Sequence, residues 1–169
     1  MSMLPDAVER EMPENSDLSS FTIPIQAHDL KNGQWVIADK SGLPGIVSDV
    51  KMSKTGKHGH AKFTYRVKVT FSGKSESSMH PGGDRLTRPV MDKEEYEVIN
   101  YEDGEVTLIT DEGEEKVMPL DEEGEVGQKV KEDFDNGEVV IVTVLVGPQV
   151  LGDDVKLIEM ITSAKTAAN

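Results

Sequence analysis

A strict alternation of apolar and polar residues over positions 63–71 constrains the fold more than any other feature of this chain. Its apolar positions are Phe63, Tyr65, Val67, Val69 and Phe71, and threonine, arginine or lysine occupies each position between them. Successive side chains of a β-strand point to opposite faces of the sheet. The pattern therefore predicts a strand with one buried face and one basic, solvated face.

Short strands and turns surround this pattern over residues 21–88. Two further strands are predicted at 34–38 and 45–52, with turns at 31–33 and 40–42. The polar stretch 72–84, which is rich in serine and glycine, is predicted to be a loop. Short strands joined by glycine-rich turns favour a small barrel.

The second half of the chain predicts another small β-domain that contains one helix. Its strands are predicted at 96–101, 105–110, 115–120, 139–146 and 155–161. Val126, Val130 and Phe134 share one face of a helix over about 125–136, and Gly137 follows as a C-cap. Five strands with a helix between the third and the fourth is the order of an OB-fold barrel.

Composition divides the chain into four segments. Residues 1–20, rich in Glu, Asp, Ser and Pro, are predicted to be a disordered acidic tail. A domain boundary is expected at Pro89, where the charge turns from basic to acidic. The segments are therefore the tail, a first domain over 21–88, an OB-fold domain over 89–163 and a frayed C-terminal tail over 164–169. The fold class is all-β, with two small barrels.

Charge is distributed very unevenly along the chain, whose formal net charge is −14. Residues 51–75 contain seven basic residues and no acidic one, whereas residues 92–138 contain 19 acidic and four basic residues. This asymmetry favours a local contact between residues 51–75 and a polyanion. The acidic half should repel nucleic acid over most of its surface.

Several classes of protein are disfavoured. The chain has no cysteine, so disulfides, thiolate zinc sites and cysteine nucleophiles are excluded. It shows no nucleophile motif and no cofactor loop, and His58 and His60 lack a neighbouring carboxylate, so neither catalytic residues nor a metal site are predicted. The N-terminus lacks signal-peptide features, and the apolar run 139–146 is too short to span a membrane. We expect a cytoplasmic protein with no membrane contact.

Residues 53–62 are out of character with the acidic chain, because they combine lysines, histidines and glycines without an acid. They read Ser53-Lys54-Thr55-Gly56-Lys57-His58-Gly59-His60-Ala61-Lys62. This stretch resembles the modification loop of eukaryotic and archaeal translation factor 5A, a family related to bacterial elongation factor P. The resemblance implies an N-terminal SH3-like barrel that carries the loop between two strands, followed by an OB-fold domain.

The resemblance also implies that Lys57 is converted to hypusine. In the family, deoxyhypusine synthase transfers an aminobutyl group from spermidine, using NAD, and deoxyhypusine hydroxylase then adds a hydroxyl. The mature factor binds the ribosome at the exit site and directs hypusine at the CCA end of the peptidyl-tRNA. It thereby promotes elongation at stalls such as consecutive prolines, and it aids termination. No dissociable cofactor is implied.

The chemistry of lysine explains why such a loop must be the substrate of another enzyme. With a pKa of about 10.4, roughly one lysine amine in a thousand is neutral near pH 7.4, so Lys57 is a poor nucleophile by itself. Gly56 and Gly59 permit a narrow tip around it. The loop residues expected to contact tRNA or the ribosome are Lys54, Thr55, Gly56, His58, Gly59, His60 and Lys62.

A secondary basic patch of Lys51, Arg66 and Lys68 is predicted to contact phosphates, because these residues lie in or beside the strands that flank the loop. The alternative function is a two-barrel RNA-binding protein that acts through an unmodified basic loop.

Overall fold

The structure, a computed structural model, describes residues 3–54 and 60–167. Strands dominate it. In chain order its elements are β1 (Val8–Arg10), α1 (Leu18–Phe21), β2 (Thr22–Gln26), a 3-10 turn (Ala27–Asp29), β3 (Trp35–Ile37), β4 (Pro44–Lys54), β5 (Ala61–Val69), β6 (Ser75–Pro81), β7 (Arg85–Pro89), β8 (Asp92–Glu102), β9 (Glu105–Ile109), β10 (Glu115–Pro119), α2 (Glu125–Asp135), β11 (Val140–Leu151) and β12 (Asp154–Thr166). Among the described residues, no helix is long and apolar enough to cross a membrane.

The chain forms two compact units. The first contains Arg10–Met91 together with Gly147–Leu157, and the second contains Leu4–Glu9, Asp92–Val146 and the residues from Ile158 onward. The sequence placed the hairpin at 147–157 in the OB-fold domain. In the structure its backbone instead bonds to the first unit: Val150 N donates to the carbonyl of Gly42 over 2.8 Å. Gly42 has a φ of +71°, and a Cβ there would overlap the Val150 carbonyl oxygen.

The first unit is built on an antiparallel four-stranded sheet in the order β3-β4-β5-β6, beside a two-stranded sheet of β2 and β7. The predicted alternation on β5 is confirmed. Phe63, Tyr65, Val67 and Val69 are buried and the residues between them are exposed. Phe71 is also fully buried, but it lies in the turn that follows β5.

The stretch 72–84 was predicted to be a loop, and this prediction is wrong. In the structure β6 pairs with β5 from Ser75 to Pro81. The prediction failed because the inward positions of β6 are polar. Glu76 is only 5% exposed and accepts hydrogen bonds from Lys40 N (3.0 Å) and from Ser41 Oγ (2.5 Å). Polar partners therefore replace the apolar contacts by which a buried strand is ordinarily recognised.

The second unit has the predicted OB-fold element order, with α2 between the third and fourth strands after Pro89. The six-stranded sheet runs in the order β1-β12-β11-β8-β9-β10. Val130 of α2 is fully buried in the core, where Leu108, Met118 and Val142 surround it. The helix predicted over about 125–136 is observed at Glu125–Asp135.

Both predicted tails carry structure. Residues expected to form a disordered acidic tail instead include β1, which lies next to β12, and α1 at Leu18–Phe21. Ala7 is buried, Val8 packs against the core of the second unit, and Asp6 Oδ1 accepts a hydrogen bond from Asp121 N over 2.8 Å. A few apolar side chains among the acids are sufficient to attach this segment.

The C-terminal segment predicted to be frayed, 164–169, continues β12 as far as Thr166. Ala164 packs against the core of the second unit. Ala167 N donates to the carbonyl of Val139 over 2.8 Å, and Lys165 Nζ lies 3.0 Å from Glu95 Oε1. Backbone pairing and core contact therefore order residues whose polar composition had indicated fraying.

Candidate functional site

The basic stretch lies on the hairpin of β4 and β5, which we call the stem. Its strands are 11 and nine residues long, and they pair as far as Lys54 opposite Ala61. Five predicted site residues lie outside the described residues, so their roles stay predictions: Thr55, Gly56, Lys57, His58 and Gly59. The described part of the predicted site ends at Lys54 on β4 and resumes at His60, just before β5. The stem brings these two ends next to each other.

One face of the stem carries the predicted secondary patch. Lys62, Arg66 and Lys68 are exposed on β5, and Lys51 of β4 pairs with Thr64 of that strand. Residues opposite each other in an antiparallel pair share a face, so Lys51 lies with the other three. We call these four residues the basic face. Among the described residues, no salt bridge engages any of the four.

A β-bulge determines which residues reach each face of the stem. The register shifts between Ser48 and Lys51, where Asp49 has a φ of +54° and Asn32 Oδ1 accepts a hydrogen bond from Val50 N over 3.0 Å. A bulge adds one residue to its strand and so reverses the facing of those that follow. Without it, strict alternation from Ser48 would turn Lys51 inward.

The opposite face of the stem ends in a groove of about 540 Å³. Its lining includes His28, Met52, Lys54, His60, Phe63 and Gly82. Phe63 is buried, whereas the large apolar side chain of Met52 is 60% exposed. Met52 pairs with Phe63, and Lys54 pairs with Ala61, so the bulge places both Met52 and Lys54 on the groove side. This groove was not anticipated from the sequence.

His80, on the strand β6 that pairs with the stem, forms a charged cluster. Its Nε2 lies 2.7 Å from Asp39 Oδ2 and its Nδ1 lies 3.0 Å from Asp84 Oδ2, and its ring stacks on Tyr65 with centroids 6.1 Å apart. Burial lowers the pKa of His80, but the hydrogen bonds and charges of Asp84 and Asp39 outweigh burial and raise that pKa overall. A protonated imidazole can donate to both carboxylates, so the cluster fixes the 39–41 turn against β6.

The phenol beside this cluster is kept neutral. Burial, followed by the charge of Asp39, raises the pKa of Tyr65 to about 12. Within residues 3–54 and 60–167, no group of three or more histidine or carboxylate side chains is arranged to hold a metal ion. The described part of the site is a cationic surface on an extended hairpin.

Two family profiles match the chain. Residues 20–83 match the profile described as "Translation initiation factor 5A-like, N-terminal". Residues 90–147 match the one described as "Eukaryotic elongation factor 5A hypusine, DNA-binding OB fold". Together the two matches cover more than half of the chain and both of its predicted barrels.

Similar curated proteins and solved structures carry the same family name. Eukaryotic translation initiation factor 5A-1 of Schizosaccharomyces pombe is 38% identical over 128 residues, which are 75% of this chain and 80% of that protein. Its namesake in Arabidopsis thaliana is 36% identical over 136 residues, 78% and 84% of the two chains.

Among solved structures, a translation initiation factor 5A family protein from Naegleria fowleri superposes with a TM-score of 0.68 and is 29% identical, covering 86% of this chain and 99% of its own. Eukaryotic translation initiation factor 5A from Methanococcus jannaschii, with a TM-score of 0.61 and 22% identity over 85% and 95% of the two chains, shares the fold.

Proposed function

The chain belongs to the translation initiation factor 5A family, and from this premise we propose that it acts on the ribosome with hypusine at Lys57 as its working group. The family match makes it a translation factor with a hypusine domain. The proposal adds the residue, the modifying enzymes and the place of action. It also holds that the chain is not itself an enzyme and works in the cytoplasm.

The modification proposal rests on the stretch around Lys57. In it, deoxyhypusine synthase transfers the aminobutyl group of spermidine to the amine of Lys57, with NAD, and deoxyhypusine hydroxylase completes the side chain. An ordinary lysine amine is almost wholly protonated near neutral pH, so a second protein must deprotonate it and supply the electrophile. A ten-residue stretch with two glycines at the end of a long two-stranded stem suits entry into another protein's pocket.

The observation that carries the proposal is a cationic stem in a strongly acidic chain. Lys54 and His60 stand on either side of the predicted tip, and Lys51, Lys62, Arg66 and Lys68 line one face below it. Each such cation that meets an RNA phosphate adds affinity that falls as salt rises. The stem is therefore suited to lie along RNA while its tip reaches further.

We propose that the stem holds the hypusine arm at the exit site, directed at the CCA end of the peptidyl-tRNA. A plain lysine loses up to about 2 kcal/mol of rotamer entropy when it is ordered, and a longer arm loses more. Several hydrogen bonds at its destination must offset that cost, and the added amine and hydroxyl supply them. By ordering the tRNA end, the arm would bring the reacting groups together at stalls such as consecutive prolines, and would aid termination.

The experiment that tests the proposal replaces Lys57 by arginine. Lys57→Arg keeps the positive charge but cannot accept the aminobutyl group. In a translation system depleted of the factor, this variant should therefore fail to restore synthesis of a polyproline reporter. Lys129→Arg, on the surface of α2, is the matched control and should support translation as the wild-type chain does. Full rescue by Lys57→Arg would contradict the proposal and would favour action through an unmodified basic loop.

A further inference from the structure

The groove beside the stem has an apolar floor that the protein leaves open. Met52 is 60% exposed next to the buried ring of Phe63. At Gly82, which closes the floor, a Cβ would lie 3.0 Å from Phe63 Cε2 and 3.3 Å from His28 Cβ. Single exposed apolar residues are ordinary, but Met52 lies opposite Phe63 in the strand pair, and both line a concave site.

An imidazole held by its own hydrogen bonds forms one wall of the groove. His28 Nδ1 lies 2.8 Å from the carbonyl oxygen of Gly82, whose oxygen also accepts the backbone N–H of His28 over 3.0 Å. His28 Nε2 lies 3.4 Å from Asp29 Oδ1. Because the Gly82 carbonyl holds Nδ1, this imidazole offers a flat, oriented surface that suits stacking.

The rim of the groove is cationic where it meets the predicted loop. Lys54 and His60 are exposed there, in a segment that contains no acid from residue 51 to residue 75. Asp84, an acid that lines the groove, bonds to His80 Nδ1 over 3.0 Å, and the same imidazole bonds to Asp39 over 2.7 Å, so His80 offsets part of the charge of the two carboxylates. A ligand that combines an aromatic plane with a negative charge matches this arrangement.

We propose that this groove binds one unstacked nucleotide of single-stranded RNA, with its base on the floor of Met52 and Phe63 and its phosphate at Lys54 and His60. The inference rests on the proposed function, which makes RNA the partner of the stem. Stacking is available to every base, so the site discriminates little between sequences. An acidic peptide matches the rim but leaves the apolar floor unused.

The test measures binding of an eight-nucleotide single-stranded RNA to the full-length, unmodified protein by fluorescence anisotropy. A series of the same RNA carries one abasic nucleotide at each position in turn. Met52→Ala should weaken binding of the intact RNA about fivefold. At one position, base removal should weaken binding by a similar factor to the wild-type protein but cause no further loss with Met52→Ala, as expected when the base and Met52 touch.

The matched control is Val117→Ala, because Val117 is 58% exposed and lies on β10 of the second unit. This variant should bind the RNA as the wild-type chain does and should keep the abasic penalty. Since Met52 and Val117 are both exposed, neither substitution should change the melting temperature, which confirms that the folded state is being compared.

Three results would overturn the inference: equal effects of Met52→Ala and Val117→Ala, additive effects of Met52→Ala and base removal at every position, or an equal Met52 dependence for an oligoglutamate probe. Salt-dependent RNA binding without coupling to Met52 would remove the groove site and leave the proposed function standing. Failure of the Lys57→Arg translation test would remove the proposed function, and the coupling to Met52 would still be measured separately.

Discussion

His80 makes the side-chain contacts that fix the 39–41 turn against β6. Its ring nitrogens meet Asp39 from a distant turn and Asp84 from the turn that follows β6, while its face stacks on Tyr65. The two carboxylates raise its pKa above the usual 6.5 in spite of partial burial. The charged imidazole is therefore favoured by the folded state.

This charge predicts a pH-dependent stability for the variant His80→Gln. A pKa raised by folding contributes stability that is fully present below the unfolded pKa, near 6.5, and is lost as pH rises through the folded pKa. We expect the variant to be less stable by about 1 kcal/mol at pH 5.5, with a smaller difference at pH 9. Urea unfolding at both pH values measures it, and an equal or larger loss at pH 9 would be inconsistent with the cluster.

The sequence predicted correctly those side chains whose burial follows from hydrophobic periodicity. Tyr65, Val67 and Val69 are buried as the alternation predicts. Glu76 and His80 occupy inward positions on the next strand, yet nothing in the sequence names their partners, which lie 35 or more residues away for Ser41 and Asp39. Polar contacts between distant residues depend on the finished fold, so they leave no local signal.

At the scale of elements, the bulge in β4 gives the stem two chemically different faces. It places Lys51 on the basic face and turns Met52 and Lys54 towards the groove. The sequence predicted both strands, but Asp49 and Val50 carry no mark of a bulge, and the groove depends on it. The stem is therefore predictable as a hairpin, whereas the assignment of its faces is not.

The basic face predicts a salt dependence that can be measured. Replacing Lys51, Arg66 and Lys68 together by alanine should lower the slope of log affinity against log salt for single-stranded RNA by about 2, if each neutralises one phosphate at about 0.7. The control replaces Lys129, Lys131 and Lys165, which changes net charge equally but in the second unit, and should leave the slope unchanged. Equal slopes for the two triple variants would exclude the basic face as the phosphate contact.

At the scale of the whole molecule, composition alone misplaced the two ends of the chain. The N-terminal end is acidic and the C-terminal end mixes alanine with polar residues; both were predicted to be disordered or frayed, yet each carries part of the sheet of the second unit. Ala7 and Val8 reach the second unit although most of their neighbours are polar. Average composition cannot detect one or two well-placed apolar contacts that attach a segment.

Removal of residues 1–10 tests this attachment. The deletion takes away β1, the buried Ala7 and the bond from Asp121 N to Asp6, so we expect a loss of about 1–3 kcal/mol in unfolding free energy. Hydrogen–deuterium exchange should also accelerate in β12, whose edge loses its neighbour. Deletion of residues 1–3 alone is the control. Unchanged exchange in β12 after the longer deletion would show that β1 contributes nothing to the sheet.

The uneven distribution of charge along the chain is also a property of the whole molecule. An acid-free segment of 25 residues stands in a chain of net charge −14, so we expect electrostatic attraction to a polyanion at the first unit, which contains this segment. Local attraction suits a protein that presents one hairpin to a nucleic acid. Everything proposed for that hairpin leads to the amine of Lys57.

The most direct test of this central claim is the intact mass of the protein purified from its own cells, followed by peptide mapping of residues 53–62. We expect a mass increment equal to one hydroxylated aminobutyl group, localised to Lys57 and to no other lysine. A bare Lys57 in protein from translating cells would contradict it.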